Sequence, residues 1–262
     1  VHCVPSLFRL ITKELGQGSA GNHFPYLQYV LMAGEPLYVK DIQRWRELAG
    51  SHTTIINLYG TSETTMAKTF YCVGDTGSDP SQMIPAGQPI DNAAVLVLND
   101  GIPCAAGETG EVYIRTPFMT KGYYKNEQLN NEVFVQNPLV DFKDLLHRTG
   151  DLGRLLPDGN LEVLGRTDDQ VKVNGVRAGL NEITRAALGI PGVQDAVVTV
   201  QQRSSMENEL LCYFIAPQLE ADGLRQALQE ELSPSLIPSF FIKMDRFPLT
   251  VNGKVDKKAL PK

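Results

Sequence analysis

At 262 residues and 42% hydrophobic composition the chain has ample apolar content for one large domain or two smaller ones, which excludes a disordered class. Its 24 basic and 30 acidic residues leave a net charge of -6 with no run of basic residues, so the electrostatic footprint of a nucleic-acid binder is missing. The four cysteines, Cys3, Cys72, Cys104 and Cys212, lie far apart without Cys-x-x-Cys spacing or a histidine cluster, and no apolar run is long enough to cross a membrane; a cytoplasmic protein with reduced cysteines, no zinc and no membrane partner is expected.

The chain opens at Val1 with no methionine and no charged-then-apolar leader, which reads as a cut in a longer polypeptide. Ser6 to Leu15 predicts a helix capped by Ser6, with Leu7, Leu10 and Ile11 on one face and Gly16 closing it. Gly16-Gln-Gly18-Ser-Ala-Gly21 fits Gly-x-Gly-x-x-Gly, but it follows a helix and leads to a strand, the reverse of the dinucleotide-binding context. Tyr26 to Met32 reads as a strand that ends in the tight loop Ala33-Gly34-Glu35-Pro36. Val39 to Ala49 is a helix with Ile42, Trp45 and Leu48 on a core-facing side, and Ile55 to Leu58 is the next strand. This alternation predicts a parallel sheet with flanking helices.

After Pro85 the texture changes. Ala94 to Leu98, Gly110 to Arg115 and Leu161 to Leu164 are short strand-like runs separated by Asn99-Asp100-Gly101, Pro103, Gly107 and Pro157-Asp158-Gly159, the pattern of an antiparallel β subdomain. From Asp169 onward, helices at Glu182 to Leu188 and Gly223 to Leu232 alternate with strands at Val193 to Gln201 and Glu209 to Ala216, an α+β tail. The whole is an α/β chain: a partial parallel sheet with flanking helices over 1–84, an antiparallel β subdomain over 85–167, and a small α+β C-terminal domain over 168–262.

The most informative stretch is Asn57-Leu-Tyr-Gly-Thr-Ser-Glu-Thr64, which leaves the C-terminal end of the strand at Ile55, where open α/β sheets bind ligands. Tyr59 offers a flat face for a base, and Asn57, Thr61 and Ser62 offer amide and hydroxyl groups. Gly60 lets backbone approach closely, and Glu63 is suited to hold magnesium beside phosphates. By itself the octapeptide reads equally well as an ordinary polar loop.

Asn57 to Thr64 resembles the Asn-x-Tyr-Gly-Pro-Thr-Glu motif of adenylate-forming enzymes, and above all of the adenylation domains of nonribosomal peptide synthetases. Gly110-Glu-Val-Tyr-Ile and Lys121-Gly-Tyr-Tyr resemble the stretches that follow it. His147-Arg-Thr-Gly-Asp-Leu152 resembles Tyr-Arg-Thr-Gly-Asp-Leu, Gly165 to Gly175 resembles the hinge motif, and Asn252-Gly-Lys-Val-Asp256 the closing motif. The resemblance implies activation of a carboxylic or amino acid by ATP and Mg2+ as its acyl-AMP, then transfer to the phosphopantetheine thiol of a carrier-protein domain. It assigns Lys254 as the catalytic cation, Asp151 and Arg166 to the ribose, Tyr59 to a place beside adenine, Glu63 to the metal, and Gly34, Glu35 and Pro36 to the adenine-side loop. Asp168 falls at the hinge, and Lys172 and Gly175 belong to the thiolation pose. Leu31, Ala33, Leu58, Met66, Ala67 and Ser6 line the acyl pocket, an apolar set that implies an apolar side chain. Each has a plainer reading beside it: Lys254 as a surface lysine, Asp151 as a turn aspartate, Arg166 as half of a surface ion pair, Asp168 as a linker residue, and Leu31 and Met66 as core packing.

The chain departs from the family pattern at Thr61-Ser62, where Pro-Thr is usual, and at Asn174, Ala178, Gly179, Asn181 and Thr184 after the hinge, while Arg177 and Glu182 match. The Ser/Thr/Gly-rich phosphate loop and the amine-pairing aspartate of the family are not in the chain, so residues 1–167 read as the C-terminal part of the large core. The missing N-terminal part is an expected partner and the piece alone is expected to be inactive. Two other readings are an acyl- or aryl-CoA ligase of the same fold and a non-catalytic module that docks a carrier.

Overall fold

The computed structural model describes residues 1–16, 24–167, 170–173, 176–202 and 208–261, with backbone alone for 170–173, 176–178, 202 and 208. Asp168 and Gly175, the side chain of Lys172 and the glycine run beyond Gly16 therefore lie outside the described residues. The chain divides into two units: Val1–Thr76 with Met83–Thr167, and Gly77–Gln82 with Asp168–Lys262.

The first unit begins with His2–Cys3 (β1), Pro5–Leu15 (α1), Tyr29–Ala33 (β2), Val39–Ala49 (α2), Thr54–Tyr59 (β3), Thr69–Cys72 (β4) and Gln88–Pro89 (β5). Their sheet runs β1-β2-β3-β4-β5, parallel from β1 to β3 and antiparallel beyond. Successive strand side chains alternate between faces. Val30, Met32 and Ile55 turn one way and are buried with Phe8 of α1 and Ile42 and Trp45 of α2. Register places Leu31, Ala33, Ile56, Leu58, Phe70 and Cys72 on the opposite face, where all are half-buried or exposed. The helices thus cover a single side of the sheet.

Two local expectations change. Ser6 is not the cap of α1: Val4 is, and Pro5 occupies the first turn, where its fixed φ and missing N–H cost nothing. The inward face of that helix is Pro5, Ser6, Phe8 and Thr12 while Leu10 is exposed, because Phe8 packs on Trp45 at 5.1 Å between ring centroids. The strand expected from Tyr26 starts only at Tyr29, and Tyr26 is exposed.

The antiparallel part consists of Ala94–Asn99 (β6), Ile102–Pro103 (β7), Gly110–Arg115 (β8), Glu127–Val133 (α3), Phe134–Gln136 (β9), Leu145–Leu155 (β10) and Leu161–Arg166 (β11), in the order β11-β10-β8-β6-β7 with β9 beside β10. The Arg-Thr-Gly-Asp run is no hairpin turn. It lies inside β10, the longest strand of the unit, as an irregularity where the register to β8 shifts between Arg148 and Leu152. Gly150 takes φ 74° there, which L side chains rarely adopt, and this re-aims Asp151 out of the regular pleat.

The second unit holds the hairpin Gln170–Val173 (β12) and Val176–Gly179 (β13), then Leu180–Gly189 (α4), Asp195–Gln202 (β14), Asn208–Ile215 (β15), Ala221–Glu231 (α5) and Phe240–Lys243 (β16). β14 pairs antiparallel with β15, and β15 pairs parallel with β16, a strand whose Phe-Phe-Ile-Lys sequence escaped the periodicity reading. Together the units bear out the α/β class with a parallel segment, an antiparallel sheet and an α+β tail. Among the described residues no helix is long and apolar enough to cross a membrane.

Gly87 leads into β5 at φ 87°, and a Cβ there would stand 1.8 Å from the Phe70 carbonyl oxygen. Gly87→Ala is expected to destabilise the unit by at least about 1–3 kcal/mol from the backbone conformation alone, read as a lowered denaturation midpoint.

Candidate active site

The loop after β3 is built by backbone constraints before any ligand is considered. Gly60 lies so close to the returning chain that a Cβ would sit 2.0 Å from the Met66 carbonyl oxygen. Ser62–Thr64 forms one turn of 3-10 helix capped by Thr61, whose hydroxyl stands 3.3 Å from that of Thr64. Thr65 and Met66 then take φ values of 57° and 69°. This strained pair is held by Lys68, whose buried Nζ donates to the carbonyls of Thr65 at 3.1 Å and Ala67 at 3.3 Å. The Thr65 hydroxyl adds a bond to the Phe118 carbonyl at 2.8 Å. Burial keeps the Lys68 ammonium below its ordinary pKa.

Asn57 is not available as a ligand donor in the way its position suggests. Its amide group donates to the carbonyls of Ile84 at 3.2 Å and Pro85 at 2.9 Å, pinning the return segment to the end of β3. Met66 is also no core residue: its side chain is 71% exposed, because the left-handed backbone turns it outward. Leu31, Ala33, Leu58 and Ala67 are half-buried near the open sheet face, whereas Ser6 is buried and its amide is engaged.

Tyr59 and Asp151, 92 positions apart, meet directly. The phenol donates to Asp151 Oδ2 at 2.6 Å, and Arg166 Nη1 stands 3.3 Å from Oδ1. Thr149 Oγ1 accepts from the Asp151 amide at 3.0 Å, which fixes the backbone beneath the carboxylate. Burial, then the charge of Asp151 and the hydrogen bond to it, pushes the Tyr59 pKa far above its ordinary value, with Arg166 opposing. Two carboxylate oxygens side by side are the acceptors that vicinal hydroxyls require.

Glu63 occupies the far end of the same loop. Its carboxylate accepts from the Tyr123 hydroxyl and faces His147 Nε2 at 3.8 Å, and its carbonyl accepts from the Thr120 amide at 2.7 Å. Burial alone would raise its pKa, but the Tyr123 hydrogen bond, its own backbone amide, His147 and Thr61 outweigh it and hold the group below its ordinary value. The reciprocal effect, led by the Glu63 hydrogen bond, pushes Tyr123 up to about 12. Burial lowers the pKa of His147 despite the Glu63 charge and the nearby Val133 carbonyl. An ionised carboxylate at 22% exposure fits a hard cation such as Mg2+, which takes one or two protein carboxylates and fills its sphere with waters and phosphates. Among the described residues no group of three or more His, Cys, Asp or Glu could hold a metal by itself, so a cation here depends on oxygens brought by a ligand.

The loop Gly34-Glu35-Pro36 is braced from behind by groups that sequence reading did not single out. Glu35 Oε2 accepts from the Ser6 amide in the first turn of α1 at 2.9 Å. Arg9 reaches both oxygens of Asp41 at 2.9 Å and the Pro36 carbonyl at 3.0 Å, while Asp41 also accepts from the Tyr38 amide at 3.0 Å. The Asp41 side chain is 3% exposed. A capping-box aspartate and an arginine on the preceding helix were the only signals for this brace. Lys254 lies in the second unit, exposed in the turn between Leu249 and Val255, with its amide donating to Thr250 Oγ1 at 3.2 Å.

Residues 1–124 match the family of AMP-binding enzymes. Over 265 residues the chain is 37% identical to surfactin synthase subunit 2 of Bacillus subtilis, spanning all of this chain and 7% of that protein. The crystal structure of holo-AB3403, a four-domain nonribosomal peptide synthetase bound to AMP and glycine, superposes with a TM-score of 0.79 at 30% identity, covering 100% of this chain and 19% of that one. Klebsiella oxytoca NpsA, in complex with 3-hydroxyanthranilyl-AMSN, shares the fold with a TM-score of 0.83 at 23% identity, over 98% of this chain and 51% of NpsA. The chain therefore spans less than a tenth of the curated synthetase and about half of NpsA.

Two outcomes are expected from this geometry. Arg9→Ala leaves the buried Asp41 with the Tyr38 amide but without its cationic partner and costs about 3–5 kcal/mol in denaturant unfolding. Tyr123→Phe raises the Glu63 pKa, read by carboxyl carbon NMR. The stability that ionised Glu63 lends is present above the unfolded glutamate pKa and lost as pH falls through the lowered folded value, so this acid-side loss shrinks in the variant.

Proposed function

Because the chain belongs to the adenylate-forming AMP-binding enzymes, with similarity to nonribosomal peptide synthetases along its whole length, we propose that it serves the ATP-dependent activation of a carboxylic acid as an acyl adenylate. The observation that carries this reading is the Tyr59–Asp151–Arg166 cluster, set beside Glu63 at the C-terminal end of parallel strands.

In this reading the Asp151 carboxylate accepts the two ribose hydroxyls, Arg166 adds a donor, and the Tyr59 ring lies beside adenine. Gly34 to Pro36 forms the edge of the adenine site, held by Arg9 and Asp41. The substrate carboxylate attacks the α-phosphorus; a carbon-bound oxygen forms the new P–O bond, and the bond to the β-phosphate oxygen breaks to release pyrophosphate. Glu63 would hold Mg2+, which neutralises phosphate charge when bound. Lys254 supplies a mobile cation to the carboxylate and phosphate oxygens in the transition state.

The finer assignment is an amino acid with an apolar side chain. It is supported by the half-buried apolar set Leu31, Ala33, Leu58 and Ala67 with Met66 at the margin. A carrier phosphopantetheine thiol then attacks the acyl carbonyl, forms the thioester and releases AMP, with Asp168 as hinge and Lys172 and Gly175 serving the second pose. Similarity to synthetases rather than free-standing enzymes alone favours the carrier as acceptor.

ATP–pyrophosphate exchange by the polypeptide that carries this chain, against a panel of apolar amino, hydroxy and aryl acids, is expected to show exchange with one apolar amino acid. Lys254→Ala is expected to lower that exchange by at least about a hundredfold. Asp151→Asn should raise the KM for ATP. Exchange that is indifferent to Lys254 would overturn the proposed role, and no exchange with any acid would turn the reading to a docking module.

A further inference from the structure

Lys68 is 4% exposed, and among the described residues its amine pairs with no carboxylate. Nζ donates instead to the carbonyls of Thr65 and Ala67, the residues on either side of Met66. The Met66 carbonyl between them is fixed as well, packed where a Cβ on Gly60 would stand 2.0 Å away. Three consecutive carbonyls are therefore tied down. The residue that holds them is itself anchored through its backbone: the Lys68 amide donates to the Tyr59 carbonyl at 2.7 Å, and its carbonyl accepts from the Ile90 amide at 2.9 Å.

Such a clamp costs stability. Thr65 and Met66 both lie in the left-handed region, at φ 57° and 69°, which residues with a Cβ rarely adopt. A buried amine also gives up water for two carbonyls. Backbone strain persists only where the surroundings enforce it, and it gathers at ligand clamps. Core packing does not explain it here, because the Met66 side chain is 71% exposed. Ala67, the next residue, is half-buried near the open sheet face with Leu31, Ala33 and Leu58. The clamp thus fixes side chains that the core does not use, at the face read above as the acyl pocket.

We propose that Lys68 is a positioning residue that sets which acid the site accepts: by holding the Thr65 and Ala67 carbonyls it fixes Met66 and Ala67 as one wall of the acyl pocket. This rests on the adenylation reading and on the apolar pocket above, and adds to them the group that gives that wall its shape. Lys68 touches neither acid nor nucleotide. The Tyr59 side chain is held by Asp151, and the Lys68 amide that meets the Tyr59 carbonyl is backbone, so loss of Nζ acts on the acid rather than on ATP.

The test is ATP–pyrophosphate exchange by the polypeptide that carries this chain, comparing the preferred apolar acid with acids one methylene larger and smaller. Lys68→Met keeps the apolar arm and has no donor. It is expected to raise the KM for the preferred acid about 10–100-fold, to narrow its kcat/KM advantage over those neighbours about tenfold, and to leave the KM for ATP within about threefold. Lys68→Arg, which keeps a long arm with donors, is expected to recover the preference. An unchanged preference in Lys68→Met, or an equal rise in both KM values, would overturn the positioning role. A measurement on the unsubstituted protein stands beside the variants and holds even where Lys68→Met does not fold. The acid with a non-hydrolysable ATP analogue should protect Met66 from peroxide oxidation, read by peptide mass spectrometry, where the analogue alone does not; absence of that protection would overturn the inference. No exchange by the unsubstituted protein with any acid would overturn the adenylation reading and this proposal with it, an outcome distinct from failure at Lys68 alone.

Discussion

The hydrogen bond from Tyr59 to Asp151 is the constraint around which the first unit is arranged. It joins the end of a parallel strand to a break in an antiparallel one, and its 2.6 Å length places a neutral phenol against a carboxylate side chain that is 13% exposed. A buried carboxylate is costly unless its oxygens are occupied, so Tyr59 on one oxygen and Arg166 near the other make the position tolerable.

Around that bond, the chain spends its polar groups on holding backbone in place. Asn57 pins the segment at Ile84 and Pro85, Lys68 fastens two carbonyls of a left-handed turn, and Arg9 with Asp41 steadies Pro36. Three of these four residues are nearly fully buried, where an unsatisfied polar group is expensive, so each is committed to a geometric partner. Loops that carry chemistry are thereby set by interactions as definite as those of a core. The sheet face opposite the helices has the reverse character: its apolar side chains are left half-exposed, and that unfinished burial is what makes an acyl pocket there physically reasonable.

The Glu63 end of the loop depends on a different balance. Glu63 stays ionised although it is partly buried, because Tyr123 donates to it from a segment 60 residues away. Burial lowers the pKa of His147 in the same surroundings, against the neighbouring charge.

Periodicity alone identified the helix over Val39 to Ala49 and the strand over Gly110 to Arg115 at their observed bounds, since each has one strong apolar face and clear stops. Motif order along the chain was enough to point to adenylate-forming chemistry, because it depends only on residue types and spacing. Sequence by itself also marked Tyr59, Asp151 and Glu63 as candidate functional groups. It could not show that Tyr59 and Asp151 touch, that Asn57 is committed to Ile84 and Pro85, or that Met66 faces outward. Those facts follow from pairings between distant segments and from a left-handed turn, neither of which leaves a local pattern. The Arg-Thr-Gly-Asp run looked like a turn because Gly and Asp favour turns locally, and it became a strand only because β8 and β11 supplied ladder partners on both sides. Tertiary structure decided which polar groups face each other, because burial makes each choose one partner and the partner is usually far away in the chain.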